Sequence, residues 1–272
     1  PVMSRVPGGR RSILVLIPLL ALSLLLLASP PLPAGSQSGE ECTSPTCSLT
    51  ESEAPCTDCC TSLLAGREAT VDGSTMTSHS CDSGTDRTWI TLEPHQTHSA
   101  GSMDTIWFQP KRTTGPNDPD RIYAGMIPQV AQSYKFMNTA YPAMNEHQLA
   151  IGETTTGGKR ALRSRAGMIN APELYRLLLE RATTAREAIQ MADELTREYG
   201  YSDWGECFTF ADPREVWFFE ILGPGEGKVG AVWAAVRLPD DHVAVSANAH
   251  RILELDLEDP ENYLASENVF SL

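Results

Sequence analysis

The residue with the most distinctive chemistry is Cys60, which opens the segment CTSLLAGREATVDGSTM (60–76). A cysteine thiolate is a strong nucleophile, but a nearby base must first remove the proton of the thiol. If the chain is cut between Cys59 and Cys60, the new α-amine of Cys60, with an ordinary pKa of about 8, can act as that base. This combination of thiol and amine on one residue predicts an amide-bond hydrolase.

A side-chain histidine is the more usual base for a catalytic cysteine. The chain has six histidines: His79, His95, His98, His147, His242 and His250. None of them lies in a sequence context that identifies it as the partner of Cys60, and each alone is better explained as a surface or structural histidine. The α-amine of Cys60 requires no such partner, so we favour it as the base.

Residues 1–35 have the pattern of a secretory signal peptide. Three arginines precede an apolar run over residues 13–27, and small and proline-rich residues follow that run. The run is shorter than the roughly 20 residues of a membrane-spanning helix. An uncleaved signal anchor is the alternative. Both interpretations send the rest of the chain out of the cytosol, so we expect a secreted or lumenal protein without stable membrane contact once the signal is removed.

Residues 36–59 are rich in Ser, Glu and Thr and contain few large apolar side chains, which predicts a flexible pro-segment or linker. Its four cysteines are Cys42, Cys47, Cys56 and Cys59. They can form disulfides, a metal site or a redox motif, and we favour disulfides because further ligands at metal spacing are missing. The total of seven cysteines is odd, so at least one thiol stays unpaired within the chain. Cys60 is the candidate.

The charge of the chain excludes two classes of partner. Its formal net charge is −14, and the first 35 residues contain three Arg and no acid, so the remainder carries −17. Such an acidic domain is a poor ligand for nucleic acid or anionic lipid. Residues 60–272 are numerous enough for one domain with its own core. Because the chain starts at Pro1 and stops at Leu272 without a closing helix, we expect a fragment that is incomplete at its C-terminus.

The elements that must position Cys60 begin with two β-rich runs, 61–65 and 69–71, before the tight-turn signal Asp72-Gly73. This pattern predicts paired strands. The following extended segment ends with three residues that can carry polar chemistry: His79, Cys81 and Asp82. Long loops between residues 83 and 120 are interrupted by a strand near 106–108, and further strands are expected at 123–128 and 148–152.

Two helices follow with clear end signals. Asn170 is placed to cap a helix that has Pro172 in its first turn and apolar residues at helical spacing. A second helix is expected over about 184–199, with Gly200 ending it. Strands then return at four places: 207–211, 216–222, 229–238 and 242–247. Strands, a helical pair and strands again predict an α+β fold of layered sheets covered by helices.

Several motifs of this chain are similar to those of the C69 (U34) family of dipeptidases, which are N-terminal nucleophile (Ntn) hydrolases. The resemblance runs from Cys60 to about Tyr263. It rests on these segments: CTSLLAG with ATVDGSTM (60–76), MNE (144–146), AIGET (150–154), TTAREA (183–188), ADPREVW (211–217) and SANAHRI (246–252). Their order and spacing make a chance match improbable.

The resemblance implies an αββα four-layer sandwich of the Ntn-hydrolase type over residues 60–272. It also implies autocatalytic or assisted removal of the leader, and hydrolysis of dipeptides through Cys60 without a cofactor or metal. An amidase or acylase of the same fold, acting on another small amide, is the alternative enzyme. A catalytically inactive scaffold or truncated product is the alternative outside enzymes. The preferred dipeptide and the oligomeric state stay open.

The same resemblance suggests roles for individual residues. Asp82 lies where related hydrolases place an acid that holds the α-amine, and we favour this role over the alternative of a turn residue before Ser83-Gly84. Asn248 corresponds to an oxyanion donor, with a turn residue at a strand end as its alternative. His79 occupies a position where many relatives have Arg, which makes pH-dependent activity an expectation if His79 is near the site. Arg251 is a weaker candidate, for binding a substrate carboxylate.

Four other residues complete the expectations. Asn145, inside the matching MNE segment, is a possible neighbour of the site. Cys59 is the rival nucleophile, but only Cys60 has the family's spacing to Gly66 and to the Asp-Gly pair. Cys81 and Cys207 are expected to be structural, the latter at the start of a buried strand.

Overall fold

The computed structural model describes residues 3–5, 59–82, 89–108, 119–141 and 143–271. The predicted signal peptide (1–35) and pro-segment (36–59) therefore lie outside the described residues, except for 3–5 and Cys59. A search of the described residues finds no helix long and apolar enough to cross a bilayer.

Strands dominate the described part of the chain. In chain order they are β1 (Met3–Arg5), β2 (Cys59–Ala65), β3 (Met76–Thr77), β4 (Ser80–Asp82), β5 (Ile90–Glu93), β6 (Gln96–Thr97), β7 (Met103–Phe108), β8 (Ile122–Pro128), β9 (Gln132–Ser133), β10 (Phe136–Thr139), β11 (Met144–Asn145), β12 (Ala150–Gly157), β13 (Gly205–Ala211), β14 (Val216–Leu222), β15 (Val232–Leu238), β16 (His242–Ser246) and β17 (Tyr263–Ala265). Between β12 and β13 lie a 3₁₀ turn (Arg160–Leu162) and two helices, α1 (Ala171–Arg181) and α2 (Ala185–Tyr199).

An eight-stranded antiparallel sheet in the order β17-β15-β14-β13-β12-β11-β10-β5 forms the centre of the fold. Its middle strands are buried on both faces. Along β13, Phe208 and Phe210 join the cluster that includes the helices, whereas Cys207 and Ala211 join a second cluster on the opposite face. This is why β13 and β14 have nearly continuous apolar runs rather than the alternation of a sheet with one wet face.

The two helices cover one face of this sheet, and their ends are fixed by the predicted caps. The Asn170 side chain accepts from the Glu173 backbone N–H, with Pro172 in the first turn of α1. The Thr184 side chain caps α2 in the same way, and Gly200 ends it with φ 76°. Because L-residues with a side chain rarely adopt that φ, glycine suits the position. The predicted helix ends are confirmed.

A smaller sheet covers the opposite face. Its order is β1-β16-β2-β3, with β4 also paired to β2, so the strand that begins at Cys59 is central to it. β2 packs against β12 of the large sheet. The approach is close at Gly152, where an added Cβ would lie 2.7 Å from the Ser78 carbonyl oxygen and 2.7 Å from Thr209 Oγ1. Glycine therefore allows the two sheets to meet beside the candidate nucleophile.

The described residues thus form helices, a large sheet and a small sheet, which supports the predicted α+β class. The second helical layer of the αββα sandwich is not among them, so the four-layer arrangement stays a prediction. Two local predictions were wrong. Residues 83–120 were expected to be loops interrupted by one strand near 106–108, but β5 and β6 also lie there. Residues 69–71 form bends rather than a strand, and β2 pairs instead with β3. The Asp72 side chain accepts from both the backbone N–H and the hydroxyl of Ser74, which stabilises the turn.

Candidate active site

The pairing of β2 with β4 assembles the candidate site around Cys60. Cys60 lies directly opposite Cys81, and Cys59 lies opposite Asp82. Cys60 is 8% exposed, whereas Cys81 and Asp82 are exposed. Cys59 is disulfide-bonded, which leaves it without the thiol that a rival nucleophile needs. Cys60 keeps its thiol.

The surroundings of the Cys60 thiol hold it in the protonated form. The thiol donates to Glu153 Oε1 at 3.9 Å. A hydrogen bond with the Cys81 side chain, then burial, then the negative charge of Glu153 all raise the pKa of Cys60 far above its ordinary value. Because the thiolate is the attacking species, the thiol of the uncut chain is a poor nucleophile. A base placed beside it is needed for reaction.

Two buried glutamates lie behind the thiol, Glu153 on β12 and Glu206 on β13. Burial, followed by the charge of Glu153, raises the pKa of Glu206 well above its usual range, and the two side chains share a hydrogen bond. Glu206 therefore keeps its proton to higher pH than an exposed glutamate does, and Glu153 can carry the negative charge of the pair. Thr155 Oγ1 also donates to Glu206 Oε1 at 3.2 Å.

His79 lies against the same carboxylate. Its Nδ1 accepts from the backbone N–H of Glu153 at 3.2 Å, and its Nε2 is 3.7 Å from Glu153 Oε1. The accepting Nδ1 places the proton of the neutral ring on Nε2, which faces the carboxylate. The ring also packs against Tyr141, with 4.8 Å between centroids. His79 is thus in the site, where its ring contacts both the backbone and the carboxylate of Glu153.

Asn248 links the far end of the chain to Cys60. Its Oδ1 accepts from the backbone nitrogen of Cys60 at 2.7 Å, and its Nδ2 donates to the Thr155 carbonyl oxygen at 2.8 Å. Its φ of 50° lies in the left-handed region, which Asn tolerates better than most residues. Both ends of the amide are therefore fixed. The atom that would become the α-amine of Cys60 is held by an acceptor.

Comparison with known proteins agrees with this geometry. The model of peptidase family C69 matches residues 59–272. The chain belongs to peptidase family C69. The predicted family is thereby confirmed, and the match starts one residue before the candidate nucleophile.

Curated relatives of this C69 chain are dipeptidases by name. It is 26% identical over 226 residues to a probable dipeptidase of Latilactobacillus sakei, covering 77% of this chain and 43% of the relative. It is 30% identical over 228 residues to probable dipeptidase B of Lactococcus lactis subsp. lactis (strain IL1403), covering 78% and 44%. A dipeptidase of Bifidobacterium longum (strain NCC 2705) is 27% identical over 239 residues, covering 77% and 42%. The chain spans less than half the length of these relatives.

Asp82 and Arg251 are the other predicted site residues of the C69 chain. Asp82 is exposed, on the strand next to Cys60 and one residue beyond Cys81. The backbone N–H of Arg251 donates to Glu220 Oε1, which fixes the segment that follows Asn248. The roles that the sequence predicts for Asp82 and Arg251 stay predictions.

Asn145 belongs to a different part of the C69 chain. Its Nδ2 donates to the carbonyl oxygens of Leu179 at 2.9 Å and Ala182 at 2.8 Å, and its Oδ1 accepts from the N–H groups of His147 and Leu149. These bonds use the whole amide to join the C-terminal end of α1 to the turn after β11. None of these four hydrogen bonds connects Asn145 to Cys60.

Sequence reasoning missed three residues of the site: Glu153, Glu206 and Cys81. The two glutamates had a visible signal, since each is an acidic residue within a strand whose other residues are mostly apolar or small. Such a residue must be paired or protonated when the strand is buried. Cys81 was expected to be structural, but it faces the nucleophile.

The site opens on a cavity of about 320 Å³. His79, Cys81, Thr139, Tyr141, Met144 and Ile151 are among its lining residues. This is a volume suited to a small ligand, with an apolar wall and a polar end at His79 and Cys81. Cys60, His79 and Cys81 each place one potential ligand atom within 4.8 Å of the other two, a spacing that a soft divalent cation can use.

Proposed function

We propose that this chain carries the nucleophile of a cysteine dipeptidase of the Ntn type, with Cys60 as both nucleophile and base. The observation that carries the proposal is the double anchoring of Cys60. Asn248 Oδ1 holds its backbone nitrogen at 2.7 Å, and Glu153 Oε1 lies 3.9 Å from its sulfur. Asn248 thus contacts the nitrogen and Glu153 the sulfur of Cys60, which are the two groups that the mechanism uses.

Removal of the leader converts the Cys60 amide into an amine. The amide nitrogen has one hydrogen, which it donates to Asn248 Oδ1. After cleavage the same acceptor holds one N–H of the neutral amine, which fixes the directions available to the remaining hydrogen and the lone pair. The lone pair can then take the thiol proton, as the mechanism requires. Cleavage is autocatalytic or assisted, and both routes give the same N-terminus.

Acylation proceeds by attack of Cys60 Sγ on the scissile carbonyl carbon. The thiol proton moves to the α-amine, and the carbonyl π electrons move to oxygen to give a tetrahedral oxyanion. Collapse breaks the C–N bond, the leaving amine takes the proton from the α-ammonium, and a thioester remains on Cys60. Water activated by the neutral α-amine then attacks the thioester and releases the acid. The steps use no cofactor.

The neighbouring residues have supporting roles in this proposal. Asp82 stabilises the α-ammonium that forms after proton transfer, as a carboxylate near a cation does. Asn248 is the proposed oxyanion donor. In the uncut chain its Nδ2 is bonded to the Thr155 carbonyl oxygen, so that role requires a rearrangement that follows leader removal. Arg251 is proposed to bind the substrate carboxylate.

The substrate class is small peptides, above all dipeptides. The family match and the names of the relatives support it, and the cavity of about 320 Å³ lined by His79 and Cys81 is of a size for such a ligand. An amidase or acylase acting on another small amide is the second candidate, because the same nucleophile and base serve any unactivated amide. An inactive scaffold is the third.

Three finer features belong to the same proposal. The domain is an αββα sandwich, supported by the helical layer and two sheets of the described residues. The leader is a signal peptide followed by a pro-segment, so the enzyme is made as a zymogen. The mature protein is secreted or lumenal, supported by the composition of residues 1–35.

A panel of dipeptides and simple N-acyl amides tests the function. The Cys60→Ser variant should lose hydrolysis of every substrate that the unaltered protein cleaves. Cys207→Ser is the matched control, because Cys207 is a fully buried thiol on β13. Cleavage of dipeptides but not N-acyl amides supports the dipeptidase, whereas the reverse preference supports the acylase. Full activity of Cys60→Ser would overturn both.

A further inference from the structure

Cys60 and Cys81 have the geometry of a disulfide pair. They are directly opposite each other on antiparallel strands, where Cα atoms are about 4.5–5.5 Å apart, within the 4.4–6.8 Å range of disulfides. Their sulfur atoms lie within 4.8 Å of each other, and neither residue is in a disulfide. Side chains of such a pair project from the same face of the ladder. Rotation of the side chains must then shorten the sulfur–sulfur distance to the roughly 2.0 Å of a disulfide bond.

The two thiols differ in accessibility. Cys81 is exposed and lines the cavity, whereas Cys60 is 8% exposed and hydrogen-bonded to Cys81 and Glu153. A reagent that enters the cavity therefore meets Cys81 first. Because thiol–disulfide exchange depends on access as well as on the thiolate, reaction starts at the exposed partner.

We propose that Cys60 and Cys81 form a reversible intramolecular disulfide that caps the nucleophile, with a low-molecular-weight disulfide as the oxidant. The Cys81 thiolate attacks one sulfur of the oxidant, forms a mixed disulfide and releases one small thiol. Cys60 Sγ then attacks the Cys81 sulfur, the mixed disulfide bond breaks, and the second small thiol leaves. The two cysteines lose two electrons and two protons in total, and the oxidant is reduced to two thiols.

A metal ion is the competing use of the same atoms, and the geometry favours it less. A divalent cation would take both sulfurs and a ring nitrogen of His79. However, His79 Nδ1 already accepts from the Glu153 N–H, which leaves the proton of the neutral ring on Nε2. Binding through Nε2 would require that proton to be lost or moved to the accepting nitrogen. The disulfide requires no change in His79.

The disulfide would control the protein at two stages. Autocatalytic leader removal and peptide hydrolysis both require the Cys60 sulfur, and a disulfide sulfur cannot supply it. Closure therefore stops both, and a small thiol that attacks the exposed Cys81 sulfur reopens the pair. Formation of the cross-link is independent of the proposed function, whereas its effect on activity rests on that function.

Peptide mapping in glutathione redox buffers tests the inference. The full chain is equilibrated at increasing ratios of oxidised to reduced glutathione, quenched with acid, alkylated with N-ethylmaleimide and digested with trypsin. Cleavage after Arg67 separates Cys60 from Cys81, and fragmentation of the linked peptides distinguishes Cys60 from Cys59. We expect a Cys60–Cys81 linked peptide in the unaltered protein and in Cys207→Ser. It should be absent from Cys60→Ser and Cys81→Ser.

The reduced fraction of Cys60 is the second measurement. Its alkylation, and the hydrolysis rate of the mature protein relative to its own fully reduced form, should both fall at least about tenfold on oxidation and return with dithiothreitol. The inference is overturned if Cys60 and Cys81 remain fully alkylated across the range. If the cross-link forms but Cys60→Ser keeps its hydrolysis, the proposed function fails and the disulfide stands. If Cys60→Ser is inactive and the unaltered protein forms no cross-link, the proposed disulfide is wrong and the proposed function stands.

Discussion

Asn248 Oδ1 accepts a 2.7 Å hydrogen bond from the backbone nitrogen of Cys60, although 188 residues separate the two in the chain. The contact joins the end of β16 to the start of β2, neighbouring strands of the small sheet. In the proposed mechanism this acceptor lies at the bond that is cut and then holds the amine that cleavage creates. One side chain would then serve both leader removal and peptide hydrolysis.

Substitution of Asn248 separates its two possible roles. Asn248→Ala removes both amide atoms and should lower kcat/KM of the mature enzyme by roughly 100-fold or more. Asn248→Asp keeps an oxygen for the Cys60 amine but removes the NH₂ group. Its negative charge raises the pKa of the α-amine, so the neutral base appears at higher pH. We expect Asn248→Asp to keep measurable activity with a pH–rate profile displaced to higher pH. Loss of the NH₂ donor should also lower the maximal kcat/KM of Asn248→Asp, because Nδ2 is the proposed oxyanion donor. Full activity of Asn248→Asp at its new optimum would contradict the oxyanion role, and an unshifted pH–rate profile would contradict the contact with the amine.

Glu153→Gln should make Cys60 more reactive in the uncut chain. The charge of Glu153 is one of the causes that raise the pKa of the Cys60 thiol. Its removal lowers that pKa and increases the thiolate fraction at a given pH. Mass spectrometry of iodoacetamide-treated protein measures the alkylation rate of Cys60, with Glu226→Gln at an exposed position as control. A rate that is unchanged or slower in Glu153→Gln argues against the electrostatic coupling.

Glu206→Gln should stabilise the protein more at high pH than at low pH. The folded-state pKa of Glu206 is raised, so above its unfolded pKa of about 4.3 the native state holds a proton that the unfolded state lacks. Stability then falls as pH rises, by up to about 1.4 kcal/mol per pH unit, until the folded pKa is reached. Gln cannot titrate, which removes this loss. Melting temperatures at pH 5 and pH 8 should show the larger gain at pH 8. The same gain at both values would contradict the raised pKa.

Asn145→Ala should affect stability rather than chemistry. The substitution leaves two carbonyl oxygens at the end of α1 and two N–H groups of the following turn without their partner, at a cost of at least about 2 kcal/mol. Urea unfolding measures the loss, with Asn262→Ala as control, because Asn262 makes one side-chain bond to Asp259. The kcat/KM per folded molecule should be unchanged. A fall in kcat/KM without a loss of stability would make Asn145 a neighbour of the site after all.

The features predicted correctly from the sequence are those that local interactions determine, such as the ends of the helices. Asn170, Thr184 and Gly200 act within one turn of their helices, and the structure has each as expected. The contact between Cys60 and Asn248 could not be predicted in this way, because 188 residues separate the two and no local pattern links them. Only the resemblance to the family brought those two together before the structure was known.

The parts that were missed depend on strand register. Cys81 faces Cys60 because strands β2 and β4 pair at that register. The residues between the two strands give no signal that predicts this register. The error over residues 69–71 has a different origin, because a β-rich composition does not reveal a turn that the Asp72 side chain stabilises. Glu153 and Glu206 meet because β12 and β13 are adjacent in the large sheet. Sequence shows that each is acidic but not that they are neighbours.

Intact-mass analysis combined with N-terminal sequencing of the active protein tests the central claim most directly. The proposed mechanism predicts one mature species that begins at Cys60, and retention of the leader when Cys60 is replaced by Ser if cleavage is autocatalytic. The same product from Cys60→Ser would indicate an assisting protease and leave the mechanism intact. An active protein in which residues 36–59 are still joined to Cys60 would contradict it, because Cys60 would then have no α-amine to act as its base.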